Sequence, residues 1–157
     1  ARIGDDATDS VHLRTFPDLP DAWHDDALME KWRRVRTVRR AVTGALERER
    51  AEKRIGSSLQ AAPRVFTDAD TIALFTDLDA AELFITSGAA FDTDTAPENA
   101  FRLEEVPDVA VVPALADGKK CERCYQVLID VGSIDRHPTI CRRCADAADN
   151  HHPLKNG

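Results

Sequence analysis

The stretch KKCERCYQVLIDVGSIDRHPTICRRC, Lys119 to Cys144, holds all four cysteines of the chain. They form two C-x-x-C pairs, Cys121 with Cys124 and Cys141 with Cys144, and 16 residues separate Cys124 from Cys141. Two residues inside each pair let a tight turn aim both sulfurs at one ion, and the intervening segment is long enough for a short hairpin to bring the second turn back. A structural zinc takes four ligands in a tetrahedron and favours thiolate. The spacing therefore predicts one structural zinc bound by Cys121, Cys124, Cys141 and Cys144. Two disulfides would need an oxidising compartment, to which nothing in the sequence points. A redox C-x-x-C stands alone at the start of a helix, whereas here two matched pairs occur. An iron–sulfur cluster uses the same four donors and stays open as an alternative. His137 lies near Cys141 but would compete for a tetrahedron that four cysteines already fill, and it reads as a surface histidine before Pro138. His12, His24, His151 and His152 show no site-like spacing.

Lys119, Lys120, Arg123, Arg142 and Arg143 flank the cysteines. Four thiolates around one zinc leave a net charge of about −2, which these cations could offset. They could equally face outward toward phosphates. Tyr125 is placed either to pack under the knuckle or to stack on a nucleic-acid base.

Outward from this stretch the charge is uneven. The formal net charge is −7, so the chain is not basic all over. Residues 1–30 carry 2 basic and 8 acidic side chains, and residues 55–118 carry 2 and 12. Residues 31–54 instead carry 10 basic and 3 acidic, and residues 119–157 carry 7 and 5. Two locally basic elements sit in an acidic frame, and for nucleic-acid binding the local field matters more than the total. No apolar run approaches the roughly 18–20 residues of a membrane span, so no membrane partner is expected. No charged-then-apolar leader is visible. The chain opens on Ala1 rather than Met, which suggests an excised piece.

Pro17, Pro20 and several Asp make the first 24 residues read as extended or irregular chain. A helix is expected from Asp25 or Asp26, either of which can cap it, to about Arg54, with Gly56 suited to leaving it. Leu28, Trp32, Val35, Val42 and Leu46 form its apolar stripe, and Met29 is placed with them. Such a helix would be on the order of 40 Å long. Arg33, Arg36 and Arg40 share its opposite face. That face is either simply solvated or a phosphate-binding ridge. Beyond it, 60–67 reads as a strand with Pro63 marking an edge or bulge. Residues 68–78 read as a short helix, 83–90 and 109–115 as strands, and 91–107 as an acidic loop. The class is α+β, most easily with antiparallel pairing. The expected divisions are 1–58, the end of a helical bundle; 59–117, a small antiparallel α+β domain; 118–150, a four-cysteine zinc knuckle; and 151–157, a disordered tail.

Taken together, these segments resemble the C-terminal end of bacterial isoleucyl-tRNA synthetases, which are class I aminoacyl-tRNA synthetases. Ser10-Val11-His12-Leu13 with Phe16-Pro17 resembles the lead-in to the last helix of that family's anticodon-binding bundle. Ile55-Gly56-Ser57-Ser58-Leu59-Gln60-Ala61 resembles the passage to its C-terminal domain, where Glu is usual in place of Gln60. Lys120-Cys121-Glu122-Arg123-Cys124 resembles the start of its terminal zinc finger, in which Trp commonly stands where this chain has Tyr125. The resemblance implies a tRNA-recognition segment that binds the anticodon arm of an isoleucine tRNA. It implies a cytoplasmic, monomeric parent enzyme whose upstream catalytic and editing domains are this segment's other partners. That parent attaches isoleucine to tRNA using ATP and Mg, but the family's H-I-G-H and K-M-S-K-S signatures are absent here, so the segment alone is expected to be inactive. Under this resemblance Arg33, Arg36, Arg40, Lys119, Lys120, Arg123, Tyr125, Arg142 and Arg143 are the RNA-binding candidates. Formamidopyrimidine-type DNA glycosylases share the cysteine spacing, but they need an N-terminal Pro-Glu and this chain begins Ala1-Arg2. A purely structural zinc module is the third reading.

Overall fold

The computed structural model describes residues 18–150; the Ser10–Leu13 and Phe16-Pro17 motifs, His12, His151, His152 and the 151–157 tail lie outside the described residues. Helix α1 runs Asp26–Ala51 and dominates the fold. The Asp25 carboxylate caps it by accepting from the Leu28 N–H at 2.9 Å. Its C-terminus closes as a paired turn in which the Lys53 N–H reaches the Arg50 carbonyl and the Arg54 N–H the Glu49 carbonyl. That geometry needs one left-handed residue. Lys53 supplies it at φ 59°, so the helix ends before Arg54 and does not use Gly56 to leave.

Val35, Val38, Ala41, Val42, Ala45 and Leu46 are the buried face of α1. Leu28 and Met29 belong to the stripe by spacing alone: they are about half exposed, at 49% and 48%. Among the described residues the sheet meets α1 only from Trp32 onward, so the first turns of the helix have nothing to bury against.

The sheet comprises β1 (Arg64–Phe66), β2 (Ala90–Asp92), β3 (Phe101–Leu103) and β4 (Val106–Val112), in the order β2-β1-β4-β3. The pairing is mixed, not wholly antiparallel. β1 pairs with β2 in parallel, Val65 opposite Phe91, and with β4 antiparallel, Val65 opposite Val111. A parallel neighbour needs a crossover of a dozen or more residues. Helices α2 (Ala69–Ala73) and α3 (Ala80–Phe84) supply it. Of residues 83–90, expected as a strand, only Ala90 enters one, as the first residue of β2; the rest are the end of α3 and the turn that leaves it. Asp79 caps α3 through the Glu82 N–H, and Phe84 turns into a cluster with Phe75 and Phe91. Burial of that ring overrides the β-propensity of the following Ile85 and Thr86. The 91–107 segment, expected as a loop, holds the end of β2, all of β3 and the start of β4. The β3–β4 register shifts between Arg102 and Leu103, a local irregularity that hides the alternation from a sequence reading.

α1 packs across this sheet, and helix and sheet share one hydrophobic core. Gly44 allows the approach: a Cβ there would stand 2.9 Å from the Phe101 ring. Arg34 is drawn inward from α1. It donates to Thr71 Oγ1 at 3.0 Å and pairs with Asp68 and Asp108. Arg39 donates to the Leu83 carbonyl at 2.8 Å. Residues 119–149 form a second, smaller core with β5 (Lys119–Lys120), β6 (Val127–Leu128) and α4 (Arg142–Asp149). Among the described residues no helix is long and apolar enough to cross a membrane.

Candidate metal centre

Each half of the centre is a turn. β5 and β6 pair antiparallel, with Lys120 opposite Val127, and hold the first C-x-x-C at the tip between them. Within the tip the Cys121 N–H reaches the Gln126 carbonyl at 2.8 Å, and the Tyr125 N–H reaches the Cys121 carbonyl at 2.9 Å. Tyr125 closes the tip with φ 65°, a left-handed conformation that costs a non-glycine residue about 1 kcal/mol or more. Gly118 opens the hairpin at φ 116°, where any Cβ would lie 2.3 Å from the Leu128 carbonyl. The second pair starts α4, with Cys141 at the N-cap and Cys144 one turn on. The Glu122 N–H bonds the Thr139 carbonyl at 3.1 Å and the Cys141 N–H points at the Cys121 sulfur at 3.4 Å, so the two turns are registered against each other.

The four sulfurs lie within 4.8 Å of one another, with Cys124 and Cys141 at 3.9 Å, and the thiols are unbridged. A tetrahedral zinc with bonds of about 2.3 Å puts its sulfurs roughly 3.8 Å apart, so the donors fit the ion after shifts of under about 1 Å. Cys121, Cys141 and Cys144 are buried, while Cys124 is half-buried. Burial opposes ionisation of Cys121, yet N–H groups of Cys124, Cys141 and Arg123 outweigh it and hold that thiol at about 6. Burial pushes Cys124 up, and it pushes Cys141 up to about 12. A divalent cation at the centre would supply the charge that burial withholds. His137 lies outside the four-sulfur cluster, half-buried and 2.9 Å from Asp149.

The predicted cations divide by what they touch. Lys119 and Lys120 are exposed on β5, and Lys120 Nζ lies 5.1 Å from the ring centroid of Tyr125, itself 56% exposed. Arg123 is exposed at the tip. The side chain of Arg142 is exposed, and its backbone N–H is held by Asp130 at 3.0 Å. Arg143 turns back toward the metal centre: it donates to Gln126 Oε1 at 3.2 Å, and the sulfur of Cys124 raises its pKa. Cations in a helix's first turn oppose the helix dipole, and for Arg143 the neighbouring sulfurs compensate. Arg33, Arg36 and Arg40 are exposed on α1; Arg33 pairs with Glu30, and among the described residues Arg36 and Arg40 form no ion pair.

Gln126, Thr86 and Ser87 carry weight that the sequence reading did not assign. Gln126 Oε1 lies 3.7 Å from the Cys124 sulfur, and its Nε2 donates to the Thr86 carbonyl at 3.2 Å. Ser87 Oγ accepts the Val127 N–H at 2.7 Å and donates to the Leu59 carbonyl at 2.5 Å. The knuckle thus docks on the exit turn of α3, where Ile85 takes φ 57° and Thr86 is fully buried. A polar Thr-Ser pair directly after an apolar run was the available signal, and its partner 40 residues away is invisible in the sequence.

A family profile described as the zinc finger found in FPG and IleRS matches residues 118–147. Over 88% of its length the chain is 49% identical to the isoleucine–tRNA ligase of Agrobacterium fabrum. It is 50% identical over 88% to that of Brucella abortus and 48% over 90% to that of Rhodopseudomonas palustris. In each case it spans 14% of the relative's length. The matched part is a C-terminal segment of these proteins, the region that bears the zinc finger.

Proposed function

We propose, from its kinship with the zinc-finger region of bacterial isoleucine–tRNA ligases, that this chain is the tRNA-recognition end of such an enzyme, with one structural zinc. The observation that carries the reading is near-half identity to those ligases along 88% of the chain, well beyond the finger itself. A glycosylase reading would explain only residues 118–147. The parent enzyme attaches isoleucine to its tRNA with ATP and Mg in a separate catalytic domain. It works in the cytoplasm as a monomer, with its editing domain upstream as well. This segment contributes no catalytic group.

The proposed task is to hold the anticodon arm. Single-stranded loops present phosphates, 2′-hydroxyls and splayed bases, which cations and aromatic rings recognise. The exposed set Lys119, Lys120, Arg123, Tyr125, Arg142 and Arg143 supports this role. Tyr125 offers a ring face with a cation already beside it, and a groove of about 470 Å³ separates Tyr125 and Lys120 from the 56–60 turn. Arg143, exposed as well, belongs to the same proposed set and also bonds Gln126 beside Cys124. Arg33, Arg36 and Arg40 form a second, exposed cationic face. The surrounding acidic surface disfavours other docking orientations.

Titration of the zinc-loaded chain with isoleucine tRNA, a non-cognate tRNA and a short damaged DNA duplex tests the reading. Preference for isoleucine tRNA that falls on zinc removal is expected. Full zinc content with no tRNA affinity at low salt would make this a purely structural module, and preference for the duplex would favour the glycosylase reading.

A further inference from the structure

Three of the four metal-binding sulfurs are sealed: Cys121, Cys141 and Cys144 are exposed by 0%, 0% and 1%. Cys124 differs. It lines an open cleft of about 210 Å³ between the knuckle and α3, with Glu82, Ile85, Gln126 and Arg143 around it. Of the four ligand cysteines, Cys124 lines this cleft while the other three are sealed. The guanidinium of Arg143 borders the same cleft and donates to Gln126, so a cation faces the spot where negative charge would appear on a hydroxide departing from peroxide. The sulfur of Cys141 lies 3.9 Å from that of Cys124 and on its buried side.

We propose that Cys124 is a peroxide-reactive modification site through which the zinc knuckle is opened. The Cys124 thiolate attacks one oxygen of hydrogen peroxide and the O–O bond breaks. A sulfenic acid forms on Cys124, and hydroxide leaves into the cleft beside Arg143 and takes a proton from water-borne acid. The Cys141 thiolate then attacks the Cys124 sulfur. A Cys124–Cys141 disulfide forms and a second hydroxide leaves. One peroxide is reduced, two thiolates are oxidised, and the zinc, left with two ligands, departs. Gln126 and Val127 stand two and three residues beyond Cys124 and carry the bonds to Thr86 and Ser87. Loss of the metal therefore also loosens the docking of the knuckle on the α3 exit turn. A dithiol reductant with added zinc reverses the change.

The test uses the full zinc-loaded chain and hydrogen peroxide below one equivalent. Zinc release is followed with a chromogenic chelator, and a sulfenate-trapping dione with mass spectrometry locates the first oxidised sulfur. A dione adduct on Cys124 with the trap present, and without it a Cys124–Cys141 disulfide with one zinc freed per peroxide consumed, is the expected course. Cys124→His retains a fourth ligand and should slow peroxide-driven release at least tenfold. Dione adduct first at Cys121, Cys141 or Cys144 overturns the proposal, as does a zinc-loaded Cys124→His variant that releases metal at the parent rate. If that variant binds no zinc, the adduct map on the unmodified chain decides alone. No readout involves tRNA, so the proposal stands or falls separately from the recognition role.

Discussion

Replacing Ser87 with alanine removes one oxygen that serves two backbone groups from distant parts of the chain. The Val127 N–H at 2.7 Å loses its acceptor and the Leu59 carbonyl at 2.5 Å loses its donor. An unsatisfied buried group costs about 1–3 kcal/mol. Ser87 is half-buried, so water can reach part of the vacated site. A total of about 2–3 kcal/mol follows for the docking of the knuckle, or roughly 30- to 150-fold in its opening equilibrium at about 1.4 kcal/mol per tenfold. The sulfurs do not touch Ser87, so metal content should stay at one zinc per chain. Native-state amide exchange on the zinc-loaded protein reads this directly. Protection at Val127 should fall by that factor while Val42 and Val111, in the main core, keep theirs. Unchanged protection at Val127 would refute the joint, and an equal loss at Val42 and Val111 would show that Ser87 supports the whole fold instead.

Gly118→Ala forces a Cβ to 2.3 Å from the Leu128 carbonyl at φ 116°, and both groups are backbone. A loss of about 2–5 kcal/mol, seen as a lower unfolding midpoint and weaker zinc retention in chelator competition, is expected. Chelating the zinc should strip amide protection from residues 119–149 and leave the helical circular dichroism of α1 nearly intact, since the two cores are separate; joint collapse of both would contradict this. The Thr71 N–H and hydroxyl hold the Asp68 carboxyl below its ordinary value. Its contribution is therefore present at neutral pH and lost as pH falls below about 4, through the lowered folded value. The stability difference between the parent and Asp68→Asn should shrink over that window, and a constant difference would count against it. Joint replacement of Arg33, Arg36 and Arg40 by alanine should lower the log–log salt slope of tRNA binding by roughly two units if each meets a phosphate. An unchanged slope would leave that face simply solvated.

The metal centre was legible because its information is local: two tight turns and a hairpin-length spacer suffice to state the four ligands. The length of α1 was legible because its apolar period holds for several turns. The readings that failed depended on something distant or on a backbone exception. Leu28 and Met29 fit the period but extend past the sheet. Ile85 and Thr86 have β-prone side chains, yet a cap at Asp79 and the burial of Phe84 make them a helix exit. The parallel β1–β2 pair depends on a crossover whose helices are only five residues each. Arg142 and Arg143 are adjacent and identical in sequence, and what each one bonds, Asp130 or Gln126, lies many residues away.

The hydroxyl of Ser87 ties Leu59, just beyond the exit of α1, to Val127, at the base of the zinc tip, through two bonds that share one atom. The Ser87 joint is thus a short, direct link between the long helix's exit and the knuckle, like one screw holding two jaws. The 93–99 segment lies outside that span, so insertions there are expected to leave the link between α1 and the knuckle unchanged. Any partner that touches both the α1 arginines and Tyr125 is thereby measured for shape before any of its chemical groups is read.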